Sequence, residues 1–121
     1  MEVAVQELLL PLAGGLGAVV AGWHGYLGET RLIAPLDIPN RQAKAFIRAM
    51  WQLSTATWML CSLIIALSPW LARGGERVLV VAIASLPLLY GLIANAWISR
   101  GRHFGWKLLG VVLGLAAVGV A

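Results

Sequence analysis

Six residues of this chain could carry chemistry: His24, Glu29, Arg48, Gln52, Asn95 and His103. An imidazole exchanges a proton near neutral pH, and a guanidinium attracts an anionic group. The amides of Gln52 and Asn95 can orient a bound molecule through paired donors and acceptors. Together these groups describe a binding layer for a small polar or anionic ligand. Arg48, Gln52 and Thr55 recur at i, i+4 and i+7, which puts them on one helix face. His24 lies about 6 Å, roughly one helical turn, from the end of its apolar block. Glu29 follows just past that end, Asn95 sits at a similar depth, and His103 opens the last block.

Each residue also has a plainer role. Arg48 can snorkel to lipid headgroups, or Glu29 can neutralise it. Gln52 and Asn95 can act as hydrogen-bonding glue between helices, worth about 0.6 to 2 kcal/mol each. His103 stands beside arginines, Arg100 and Arg102, in a turn and can be simply interfacial. His24, flanked by Trp23 and Tyr26 within an apolar block, divides evenly between a structural and a functional role. No Ser-His-Asp set, Cys-x-x-Cys, His-Glu-x-x-His or phosphate loop occurs, so catalysis is not expected. A metal would have to use His24, His103 and Glu29, which lack close ligand spacing, and no resident cofactor is expected. A haem held by His24 and His103 is the weaker alternative, with Gly25, Gly28 and Gly105 leaving room beside the imidazoles.

The elements that must position these residues are apolar. The 121 residues are 60% hydrophobic and 12% charged, with a mean hydropathy of +0.86. A soluble domain carries about a quarter charged residues. Four apolar blocks, at 8–28, 46–71, 77–98 and 104–121, each approach the ~20 residues that cross a bilayer. The chain therefore reads as a single all-α domain over 1–121, an integral membrane up-down bundle of four transmembrane helices. Glu2 and Glu7 precede the first block and no Lys or Arg comes before Arg31, which favours a retained helix over a signal peptide despite the small residues at 18–21. The lone Cys61 excludes an intramolecular disulfide and reads as a packing residue.

Charge orients the bundle. Arg31, Arg41, Lys44 and Arg48 flank the first connection, and Arg100, Arg102 and Lys107 the third. Only Arg73 and Arg77 flank the second. This seven-to-two bias predicts cytoplasmic first and third connections, with both termini outside, in the periplasm of a Gram-negative cell. The net charge of +4 points to anionic headgroups and not to nucleic acid, because the cations adjoin the spans. Trp23, Trp51, Trp97 and Trp106 fall near the cytoplasmic interface and Trp70 near the other. Trp58 is mid-span, where it would pack between helices. The first connection, 29–45, is broken by Pro35 and Pro39, and Asn40 can cap the next helix. Its Leu32, Ile33, Leu36 and Ile38 would make an interfacial elbow or partial lid.

Small residues recur at helical spacing: Ala13, Gly17, Ala21 and Gly25; Gly14, Ala18 and Gly22; Gly101 with Gly105; and Gly110 with Gly114. Such faces suit close packing within the bundle, and alternatively a homo-oligomer or a docked membrane partner.

The run His24-Gly-Tyr-Leu-Gly-Glu29, the pair Pro35-Leu36 and the run Arg102-His-Phe-Gly-Trp106 resemble a group of small bacterial four-span membrane proteins without an assigned activity. The similarity covers most of the chain and implies the same fold and a bacterial inner-membrane location. That group carries a Trp-His pair in the second span. Gln52 follows Trp51 here, which weakens a metal or haem reading and favours a hydrogen-bonding layer. Small multidrug transporters need a carboxylate deep in the first helix, and no span interior holds one here. Fluoride channels of similar size rely on phenylalanines within the bundle, and this chain has two Phe in all. The expected function is binding or transport of a small polar or anionic ligand at the cytoplasmic-leaflet layer. The alternative is an accessory or assembly subunit that docks a larger membrane partner through its glycine faces.

Overall fold

The computed structural model describes residues 2–121. It contains α1 (Glu2–Leu27), a wider π-helical turn (Gly28–Ile33), α2 (Arg41–Leu71), α3 (Gly74–Ile98) and α4 (Gly105–Val120). The helices form a ring: α1 packs on α2, α2 on α3, α3 on α4, and α4 closes against α1. The segments Glu7–Ile33, Arg41–Leu71 and Gly74–Ile98 are long and apolar enough to cross a membrane. The fourth helix is apolar but has 16 residues, about 24 Å at 1.5 Å per residue. It is shorter than the 104–121 block suggests, because Phe104 belongs to the preceding turn and Ala121 lies past the last helical residue.

The buried residues follow a seven-residue repeat. Trp58, Cys61, Ser62, Ile65 and Ser68 face inward from α2. Val81, Ala84, Leu88 and Gly91 do so from α3, and Leu109, Val112, Ala116 and Gly119 from α4. Steps of three and four keep one stripe of each helix turned to the ring's centre. Leu12, Val19, Leu60, Leu79, Ile83 and Val118 lie on the outside, each more than half exposed. That outer surface suits hydrocarbon, not water.

The small residues of α1 work inside the bundle. A Cβ on Gly14 would strike the Ser62 carbonyl, one on Gly17 the Ser62 hydroxyl, and one on Gly25 Thr55. Packing within the chain thus accounts for Gly14, Gly17 and Gly25. Gly110 lies near Leu92 of α3, whereas Gly114 and Gly15 face open space.

Each connection has its own lock. Asn40 caps α2, its Oδ1 accepting from the Gln42 and Ala43 amides at 2.9 and 3.1 Å. Lys44 Nζ reaches back to the Ala34 and Leu36 carbonyls at 3.1 and 2.9 Å. With Ile33 buried, the first connection is a pinned elbow. At the second, Arg77 donates to the Ala72 and Pro69 carbonyls at the end of α2, satisfying groups that a helix terminus leaves open. At the third, Gly101 N–H bonds Ala96 O and Arg100 N–H bonds Trp97 O. This is the Schellman pattern, with Arg100 at φ 50° and Gly101 at φ 75°.

Candidate functional site

The site is built from α1 and α2 where α1 gives way to its π turn. Trp51 and Trp58 stand seven residues apart on α2, two turns of one face. The His24 ring lies between them, its centroid 4.4 Å from Trp51 and nearly parallel at 13°, and 4.3 Å from Trp58 at 32°. Glycines make room for both indoles. The Trp51 indole lies on Gly28, where a Cβ would fall far inside contact distance, and the Trp58 indole lies in the same way on Gly91 of α3. Trp51 Nε1 also donates to the His24 carbonyl at 3.1 Å. Backbone, ring stack and hydrogen bond hold one imidazole in one place.

The hydrogen bonds assign that imidazole's tautomer. Ser54 Oγ donates its one hydrogen to the Trp51 carbonyl at 2.6 Å. It therefore accepts from His24 Nε2, which lies 3.2 Å away. A neutral ring protonated at Nε2 keeps a lone pair at Nδ1. Ser54 Oγ, once it has donated and accepted, retains one lone pair of its own.

A groove of about 310 Å³ opens beside this pair, lined by Met50, Leu53, Ser54, Thr57, Trp58, Pro87 and Tyr90. It runs between α2 and α3 on the outer, lipid-suited surface of the bundle. Thr57 Oγ1 donates to Leu53 O at 2.9 Å, so its remaining capacity is to accept. The groove thus has apolar and aromatic walls, with the Ser54 and Thr57 oxygens placed as acceptors and the Tyr90 phenol, which can donate or accept, in the α3 wall.

The six expected site residues do not form one open pocket. Arg48 and Glu29 make a two-pronged ion pair, with Nε 3.0 and 2.9 Å from the two carboxylate oxygens and Nη2 2.9 Å from Oε1. The guanidinium already holds a carboxylate. Gln52 Nε2 donates at 3.5 Å to the Gly25 carbonyl across the α1–α2 seam, the glue role. Asn95 Nδ2 returns to Gly91 O in its own helix at 2.9 Å. His103 Nδ1 accepts from the Gly105 amide at 3.1 Å, closing the third turn. Only His24 joins the groove, through Ser54.

Sequence reading passed over Ser54, Thr57 and Tyr90 and placed Trp51 at the interface as an anchor. The signal was present in the spacing of Trp51, Ser54 and Trp58, steps of three and four that put two indoles and a hydroxyl on one face. Trp58 does pack between helices, as its mid-span position predicts.

A haem on His24 and His103 does not fit these residues. Both faces of His24 carry indoles, and the space beside Gly25 and Gly28 is filled by Thr55 and Trp51. Among the described residues no group of three or more His, Cys, Asp or Glu side chains stands close enough to hold a metal ion. In comparisons with known proteins, no family model, curated protein or solved structure matches the chain.

Proposed function

We propose that the protein binds a neutral amphipathic molecule taken from the bilayer. The ligand's apolar body lies in the α2–α3 groove and its hydroxyl or amide hydrogen meets Ser54 and Thr57. The observation that carries this reading is the Ser54–His24 pair at the edge of an apolar groove. The Ser54 and Thr57 oxygens have acceptor capacity left and their own hydrogens spent on backbone carbonyls, so at that edge of the groove they favour a ligand that donates. Ser54 and Thr57 are half-buried, and an acceptor site facing hydrocarbon discriminates against an analogue lacking the hydrogen, because the site's own polar atoms are then unpaired. The Arg48–Glu29 pair argues against the anionic ligand that the sequence suggests, since the carboxylate already neutralises that cation.

The protein acts in this proposal as a binding protein or carrier, and no chemical step is assigned to it. The resemblance to small bacterial four-span proteins and the seven-to-two charge bias support an inner-membrane setting with the groove in the cytoplasmic leaflet. Native mass spectrometry of protein released in mild detergent tests the binding claim. A neutral amphiphile retained by the native chain and lost from a Ser54→Ala, Thr57→Val double variant supports it. Equal retention by both proteins places the ligand elsewhere and contradicts it.

A further inference from the structure

We infer that the turn between α3 and α4 is a binding site for the phosphate headgroup of an anionic phospholipid. Arg100, Arg102 and Lys107 crowd this turn within eight residues, and all three side chains are exposed. Glu76, near the start of α3, is the last carboxylate side chain in the sequence. Among the described residues the one salt bridge, Arg48–Glu29, lies on α2 and the first connection. The cations of the third turn therefore have no protein counterion there, whereas Arg48 is paired and Lys44 and Arg77 are occupied by backbone carbonyls. Arg31, Arg41 and Arg73 are also exposed and without a side-chain partner among the described residues, so it is the clustering of three cations in one turn that sets this end apart.

The turn is also held in shape. Its Schellman bonds fix the backbone, Trp106 Nε1 donates to Gly101 O at 3.1 Å, and Ser99 Oγ accepts from the His103 amide at 3.3 Å. Lys107 Nζ rests 5.9 Å from the Phe104 ring centre and 5.8 Å from that of Trp106. Arg100 takes a positive φ that glycine would adopt without strain. Strain of this kind persists where the surrounding structure fixes it, and it clusters at ligand clamps. Here it places a guanidinium, which binds phosphate through a rigid fork of donors.

A lipid is favoured over a soluble anion by what flanks the charges. Trp97 is 83% exposed, Ile98 81% and Phe104 62%. A free phosphate would gain nothing from those groups, whereas a phospholipid presents glycerol and acyl chain beside its phosphate. Indole and cation at one depth match the interfacial region of a leaflet. This site does not depend on the α2–α3 groove, and either can fail without the other.

The test is lipid retention by native mass spectrometry, with the full chain incubated in equal amounts of phosphatidylglycerol and phosphatidylcholine. Phosphatidylglycerol should be retained in preference, and Arg102→Gln should weaken that retention by roughly fivefold. Arg100→Gly separates binding from folding, since it relieves the backbone while removing the cation. It should melt no lower than the native protein yet retain less phosphatidylglycerol. An Arg31→Gln, Arg41→Gln variant, which removes charge from the first connection, should retain it normally. Equal retention of the two lipids overturns the proposal, as does equal loss in both sets of variants. Displacement by inorganic phosphate at millimolar concentration overturns it too, by showing a site for a soluble anion.

Discussion

At the scale of single residues, the packing of His24 follows from the absence of side chains opposite it. Gly28 accepts the Trp51 indole and Gly91 the Trp58 indole, so the stack exists only while both positions lack a Cβ. Gly28→Ala should destabilise the protein by about 2 kcal/mol or more, through forced displacement of a half-buried indole. Gly114→Ala, which meets open space, should stay within about 1 kcal/mol of the native stability. Reversible unfolding in mixed detergent micelles measures both. Ser62 gives a second contrast. Its hydroxyl is fully buried and has no hydrogen-bond partner, an arrangement that leaves a desolvated polar group uncompensated. Ser62→Ala should therefore raise stability by about 1 kcal/mol, and a loss of that size in the same unfolding measurement would contradict this account of the seam. None of these three environments is visible in a sequence. A glycine reads the same whether an indole or lipid lies beyond it.

At the scale of elements, the turns carry the locks and the helices carry the spacing. The Asn40 cap was legible because a side-chain acceptor before Arg-Gln-Ala-Lys is a local signal, and the structure shows both of its bonds. The π turn at Gly28–Ile33 was not, because it depends on how the end of α1 meets α2. It shortens the first connection to 34–40 and carries Glu29 to Arg48, which the sequence offered only as one of two roles for the pair. The third turn was legible as tight, but its handedness was not: Arg100 takes the left-handed position before Gly101. Left-handed backbone costs about 1 kcal/mol in a residue with a Cβ. Arg100→Gly should return about that much, raising the unfolding midpoint, and Gly101→Ala should lower it comparably. A fall in stability for Arg100→Gly would show that the side chain contributes more than the backbone strain removes.

At the scale of the molecule, four apolar blocks and their short connections made an all-helical bundle legible, and the structure has that form. The groove was not legible, because it arises between two helices whose lining residues are far apart in sequence: Met50 to Trp58 on α2, and Pro87 with Tyr90 on α3. The polar residues that stood out by type are mostly spent on one another or on the backbone. The quieter Ser54 keeps capacity for a ligand. The orientation proposed from charge is testable in the same frame. With Cys61 replaced by Ser, a Glu76→Cys variant should react with an impermeant thiol reagent added to intact cells, and an Asp37→Cys variant should react only after lysis. The reverse pattern would invert the bundle and move the groove to the outer leaflet. The central claim is the donor-selective groove, and Trp58 in its wall supplies the probe. The measurement is quenching of tryptophan fluorescence in lipid nanodiscs by a brominated long-chain alcohol and by the brominated alkane of equal length, in native protein and in Trp58→Phe. The Trp58-dependent quenching should be stronger with the alcohol, and should fall to the alkane's level in the Ser54→Ala, Thr57→Val variant. Equal quenching of Trp58 by the two compounds in the native protein would mean that the groove holds only hydrocarbon, and would contradict the account.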